Sequence, residues 1–129
     1  MQSTLHMVTL TTTSSTAEWV PNTDIYENET SFLIRMEIAG VSRDDIHIHF
    51  VDRMLIVKGR RTDLCRATSQ CRFRQMEVNY GVFERRLMIP RSVDGEKIRA
   101  SYRNGFLRIE LPKVSRSTPV PLRVVVEHD

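Results

Sequence analysis

From about residue 19 to residue 113 the chain alternates apolar and polar side chains with a period of two, the signature of half-buried β-strands. Ser31 to Ile38 is the clearest stretch, with Phe32, Ile34, Met36 and Ile38 on one face and Leu33, Arg35 and Glu37 on the other. Ile46 to Val51 repeats the pattern, setting Ile46, Ile48 and Phe50 against His47 and His49. Thr23 to Tyr26, Met54 to Lys58, Cys71 to Glu77, Val82 to Ile89, Ile98 to Arg103 and Phe106 to Leu111 bring the expected strands to eight. Met54 to Lys58 is nearly all apolar, which predicts a strand covered on both faces and ended by Gly59. Cys71 to Glu77 is too polar for a central strand: Cys71, Phe73 and Gln75 oppose Arg72, Arg74 and Met76.

Turn residues separate these runs. Asn28-Glu29-Thr30, Asp52-Arg53 and Asn79-Tyr80-Gly81 are turn signals, and Pro90 and Pro112 stop strands. Asn104-Gly105 between two alternating runs predicts a type I′ hairpin, because both residues tolerate positive φ. Ser42 to Asp45 has the spacing of a capping box on one helical turn. Short strands at regular intervals without a long helical period mean an all-β sandwich or barrel. An immunoglobulin-like β-sandwich is expected, since several strands alternate and one alone looks buried on both sides.

The 129 residues suit one domain with flanking arms. Residues 1–18, rich in Thr and Ser, read as a flexible N-terminal arm, residues 19–113 as the sandwich, and residues 114–129 as a C-terminal extension. In that extension Val120-Pro121-Leu122 is an apolar-x-apolar segment whose proline lowers the ordering cost of docking in a groove, with Leu122-Arg123-Val124 as a rival register.

Composition narrows the function. A net charge of +3, spread among 19 basic and 16 acidic residues, does not predict nucleic-acid binding. Arg60, Arg61, Arg66, Arg72 and Arg74 are the nearest approach to a basic patch, and Asp63 and apolar residues interrupt them. His47 and His49 share a strand face, but a metal needs a third ligand, so no metal site is expected. No glycine-rich phosphate loop and no catalytic constellation occur, so neither a cofactor nor enzyme activity is expected. Cys65 and Cys71 match no zinc or redox motif and are expected as two reduced thiols. No apolar run is long enough for a bilayer, and no secretory signal is visible, which makes the cytoplasm the expected location and excludes a membrane partner.

What remains is edge chemistry. Unpaired backbone groups at sheet edges seek partners, and Cys71 to Glu77, reached through a long polar loop, is suited to pairing with another chain. Arg85 shares a strand face with Phe83 and Leu87, so it is expected to be partly buried and to need a carboxylate such as Glu77.

Several ordered motifs resemble the α-crystallin domain of the small heat-shock proteins. Ala100-Ser101-Tyr102-Arg103-Asn104-Gly105-Phe106-Leu107 is similar to the family's A-x-x-x-N-G-x-L signature, and Gly81-Val82-Phe83-Glu84-Arg85 to its G-x-F-x-R element. Asp24-Ile25-Tyr26-Glu27 resembles the usual opening, Leu55 to Gly59 the L-x-I-x-G strand, and Leu87-Met88-Ile89-Pro90 the end of the strand that Gly81 begins. Ile38-Ala39-Gly40-Val41 resembles a P-G-V stretch with Ala39 in place of proline. The resemblance implies an ATP-independent holdase that binds partly unfolded proteins. It also implies a strand-exchanged homodimer and higher oligomers. The exchange role would fall on Cys71, Phe73, Gln75 and Glu77 with Arg85 nearby. The family's C-terminal I-x-I motif would be Val120-Pro121-Leu122. Its groove would lie between Ile46, Ile48 and Phe50 on one side and Ile98 and Ala100 on the other. Two rivals remain: a monomeric CS-type co-chaperone adaptor, and a small metal-dependent hydrolase built on His47, His49, Asp44 and Asp45.

Overall fold

The computed structural model describes residues 8–10, 17–65 and 70–115. Two antiparallel four-stranded sheets stack face to face. The strands are β1 (Val8–Leu10), β2 (Thr23–Glu27), β3 (Ser31–Glu37), β4 (Ile46–Val51), β5 (Met54–Arg61), β6 (Gly81–Met88), β7 (Arg99–Arg103) and β8 (Phe106–Pro112). One sheet runs β1-β6-β5-β4 and the other β2-β3-β8-β7. The all-β sandwich expected from the alternation is therefore the fold.

The inner faces are the ones the alternation marks. Phe32, Ile34, Met36 and Ile38 are buried against Leu55, Val57, Phe83 and Leu87 of the opposite sheet, with Leu107, Ile109 and Leu111 beside them. Turns form where the sequence puts them. Asn28 Oδ1 accepts from the backbone N–H groups of Thr30 and Ser31, both at 2.8 Å. Asn104 and Gly105 take φ of 52° and 82°, and Asp52 and Arg53 take 51° and 63°, the left-handed values of tight two-residue hairpins.

Five expectations are corrected. The 3-10 turn at Arg43–Asp45 forms, but Ser42 makes no side-chain cap; the turn closes instead through Asp45 N–H donating to the Ser42 carbonyl at 2.8 Å. β5 does not stop at Gly59 but continues to Arg61. A Cβ at Gly59 would lie 2.2 Å from the Asp45 carbonyl and 2.6 Å from the Phe83 ring, so glycine is what lets the strand pass. Nor is β5 covered on both faces: Leu55 and Val57 are buried, while Met54 and Ile56 are only half-buried. Cys71 to Glu77 forms no strand and is exposed along its whole length, too polar to join the sheets of its own chain. The eighth strand is instead β1, which pairs Val8 with Met88 and Leu10 with Arg86 along the free edge of β6, within the segment read as a loose arm.

Candidate functional site

Three features stand out: a furrow between the sheets, a long connection in one hairpin whose described residues are mostly exposed, and a half-buried arginine whose Nε has no hydrogen-bond partner among the described residues.

The furrow lies between β4 and β7, each the last strand of its own sheet. Ile46, Ile48 and Phe50 point inward yet are only half-buried, and the alternate positions, His47 and His49 among them, are exposed. Ala100 is the register partner of Ile109, whose side chain is fully buried, but Ala100 itself is exposed. The methyl group is too short to reach the opposite sheet, so an inward-facing position stays open to solvent. Both ends of the furrow are tied. Phe50 packs so closely on Gly95, shortly before β7, that a Cβ there would sit 2.5 Å from the ring. At the other end Tyr102 Oη donates to the Ile38 carbonyl at 2.9 Å, and Ile38 N–H donates to Gly105 at 2.9 Å. Ile98 is half-buried beside the same core. Of the residues expected to line this groove, Ile46, Ile48, Phe50 and Ile98 all pack against the same core, and Ala100 lies beside Ile109 on the adjoining strand. Val120, Pro121 and Leu122 lie outside the described residues.

The excursion spans residues 62–80 between β5 and β6, whose Arg61 and Gly81 face each other in register. Gln70 to Asn79 is exposed, with Phe73 64% and Met76 38% accessible. Leu64, at 75%, is more exposed still. Gln75 Nε2 donates to the Glu77 carboxylate, so Glu77 does not meet Arg85 in the single chain. Cys65 and Cys71 are joined as a disulfide, contrary to the expected free thiols; their Cα atoms, 5.7 Å apart, sit at an ordinary bridging distance.

The base of the excursion is clamped by residues that sequence reasoning did not single out. Arg61, 9% exposed, lies 4.2 Å from the Trp19 ring centroid. Its Nε donates to Asn79 O at 2.8 Å and a terminal nitrogen to Ala39 O at 3.0 Å. Trp19 in turn donates its indole N–H to Gly81 O at 3.0 Å and packs on Phe83 at 5.1 Å. Glu18 accepts from Val82 N–H at 3.2 Å. The lone tryptophan, four residues before β2, was the one available signal.

Arg85 points inward between Phe83 and Leu87, opposite Val57. Its Nε is buried with no hydrogen-bond partner, and burial lowers the guanidinium's pKa from its ordinary value. A half-buried guanidinium with an unsatisfied Nε carries a cost that a carboxylate or carbonyl would relieve. By contrast, Glu84 on the other face is buried and paired with Arg86 at 2.6 Å.

The family model described as "Hsp20/alpha crystallin family" matches residues 24–127. The chain belongs to that family. Among its curated relatives, small heat shock protein C4 of Rickettsia felis is 29% identical over 104 residues, which are 81% of this chain and 63% of that protein. Heat shock protein 16 of Schizosaccharomyces pombe is 30% identical, over 78% of this chain and 71% of its own length. The chain thus spans a little over three fifths of the Rickettsia protein. Among solved structures, a small heat-shock protein of Xylella fastidiosa with a distinct high-order structure superposes with a TM-score of 0.74. It is 33% identical and covers 85% of this chain and all of its own. The Schizosaccharomyces pombe heat shock protein 16.0 superposes at 0.73, with 25% identity over 88% of this chain and 80% of its own. Among the described residues no helix of this Hsp20 family chain is long and apolar enough to cross a membrane.

Proposed function

We propose that this Hsp20 family chain is an ATP-independent holdase, not an enzyme, that covers partly unfolded proteins and keeps them from aggregating. The half-buried Ile46, Ile48 and Phe50 and the exposed Ala100 between β4 and β7 carry the reading, because inward-facing apolar positions left open to solvent are suited to binding rather than to core. Unfolding clients expose apolar side chains and unpaired strand edges, and this chain offers counterparts to both.

Assembly uses the same surfaces. The segment Cys71, Phe73, Gln75, Glu77 adds to the free edge of β2 in a second copy, and Arg85 receives a carboxylate from the docked chain. Support comes from the exposure of that segment and from the unpartnered Nε of Arg85. The tail segment Val120-Pro121-Leu122 then fills the furrow of a neighbouring dimer and is displaced by clients. Residues 1–18, 19–113 and 114–129 act as arm, sandwich and extension, β1 being the part of the arm laid on β6. The cytoplasm remains the proposed location. The Cys65–Cys71 disulfide does not oppose it, since both residues are exposed and open to thiol exchange.

Light scattering from a heated client, with the purified protein and no nucleotide, tests the activity. Suppression at about one subunit per client is expected if the exposed apolar surface is what binds. Undiminished scattering in subunit excess refutes the holdase reading, and a monomeric mass at micromolar concentration favours the adaptor.

A further inference from the structure

On its outer face, the β2-β3-β8-β7 sheet carries an open depression of about 530 Å³ whose lining includes Arg35, Arg103, Arg108, Tyr26, Ser101 and Phe106. Arg35 and Arg108 are direct register partners on β3 and β8, and Arg108 faces Ser101 on β7. Arg103, two residues beyond Ser101, points to the same side. Like charges directly opposite one another on neighbouring strands destabilise a sheet, so this arrangement needs a counter-charge.

Asp24 is the register partner of Arg35 on the β2 side, but no described carboxylate comes within ion-pair distance of the three guanidiniums. Arg35, Arg103 and Arg108 form no ion pair with any described residue, although three carboxylates share the face. Glu110 is held by Arg99 at 3.0 Å. Glu37 accepts from Ala39 N–H at 3.0 Å, and Asp24 accepts from Tyr26 Oη at 3.4 Å. Meanwhile the Arg35 guanidinium is set 4.5 Å over the Phe106 ring, which orients it before anything binds.

We infer that this depression binds an acidic, extended stretch of polypeptide from another chain. Guanidiniums receive carboxylates as paired donors. Alternate residues of an extended segment project about 7 Å apart on one side, within reach of long arginine side chains on strands about 4.8 Å apart. The depression is shallow and open, unlike the enclosed sites that hold small molecules, and the exposed rings of Tyr26 and Phe106 offer apolar contact to the segment between its charges. The site is separate from the β4–β7 furrow and does not depend on strand exchange. It adds a charge preference, for acidic segments, to a surface otherwise selective for apolar ones.

The test uses fluorescence anisotropy of a labelled peptide of alternating Asp and Thr, with an alternating Asn and Thr peptide as the uncharged match, on the full chain. The acidic peptide is expected to bind roughly tenfold or more tighter than its match, and to weaken as salt rises from about 0.05 to about 0.5 M. Arg35→Gln/Arg108→Gln is expected to lose most of that preference, whereas Arg60→Gln on the other sheet keeps it. The double variant is also expected to melt no lower than the parent, since an opposed pair of charges has gone. Equal binding of the two peptides, or full acidic-peptide affinity in the double variant, overturns the inference. Tighter binding of polyphosphate or single-stranded DNA than of the peptide overturns the polypeptide as occupant. The salt series on the unaltered protein decides the matter even if the variant folds poorly.

Discussion

At the scale of single residues, Arg85 and Arg61 show how the same side chain is handled in opposite ways. Arg61 is buried but satisfied, stacked on Trp19 and donating to two carbonyls, so it locks the base of the excursion. Arg85 is inward-facing with its Nε unsatisfied, so in the isolated chain it is a standing cost. Arg85→Leu removes that cost and leaves an apolar side chain among Phe83 and Leu87. The expected outcome is a sandwich as stable as the parent or more stable by about 1 kcal/mol, together with a dimer weakened by roughly a hundredfold. Urea denaturation followed by Trp19 fluorescence reads the first, and sedimentation equilibrium the second. A variant that dimerises normally removes Arg85 from the contact.

At the scale of elements, the hairpin β5–β6 differs from its neighbours in its connection. β4–β5 and β7–β8 close in two residues, whereas β5 and β6 are joined by residues 62–80. The disulfide takes the five residues between Cys65 and Cys71 out of that path. At about 3.3 Å per residue, and counting out and back, the excursion loses about 8 Å of reach, more than one strand spacing of about 4.8 Å. Reduction, or Cys65→Ser/Cys71→Ser, is therefore expected to tighten the dimer, as analytical ultracentrifugation with and without reductant will show. Stability responds differently. A crosslink closing a loop this short is worth roughly 2 kcal/mol when only the unfolded chain is constrained. Here the flanking segment is exposed in the folded chain too, so the crosslink restricts both states and the expected loss of stability is below about 0.5 kcal/mol. A larger drop in the denaturation midpoint means that the loop is packed, and an unchanged dimer constant means that reach does not limit exchange.

At the scale of the whole molecule, the proposed assembly contacts fall where each sheet ends. β4, β7 and β2 are edge strands, while β1 covers the edge of β6. On the proposed reading, the furrow of each copy receives the apolar tail segment of another, a contact that would link dimers into larger bodies without using the dimer interface. Deleting residues 114–129 is expected to leave the sandwich folded, because the last backbone bond tying that end, from Val114 N–H to Ser92 O at 2.6 Å, is peripheral to the buried core. Native mass spectrometry should find dimers and nothing larger. Retained large assemblies place the linking contact in residues 1–18 instead, and monomers show that the tail supports the dimer.

The sequence by itself determined whatever depends on near neighbours. Phe32, Ile34, Met36 and Ile38 had to share a face because side chains alternate along a strand, and Asn104-Gly105 had to turn because few other pairs tolerate both positive φ values. The shared face of Ile46, Ile48 and Phe50 was legible for the same reason, whereas a groove between them and Ile98 and Ala100 was implied by the family resemblance. Tertiary structure alone decided what depends on residues far apart in the chain. β5 continues past Gly59 because Asp45 and Phe83 crowd the position where a side chain would stand. β1 forms because β6 has an edge to offer, whereas Cys71 to Glu77 pairs with none of the edges of its own chain. Which charges find partners was likewise settled in three dimensions: Glu110 reaches Arg99, and Arg35 and Arg108 are left facing each other. Alternation is a property of the backbone's geometry and is written locally, whereas an unfilled furrow or an unpaired charge is defined only by everything that packs around it.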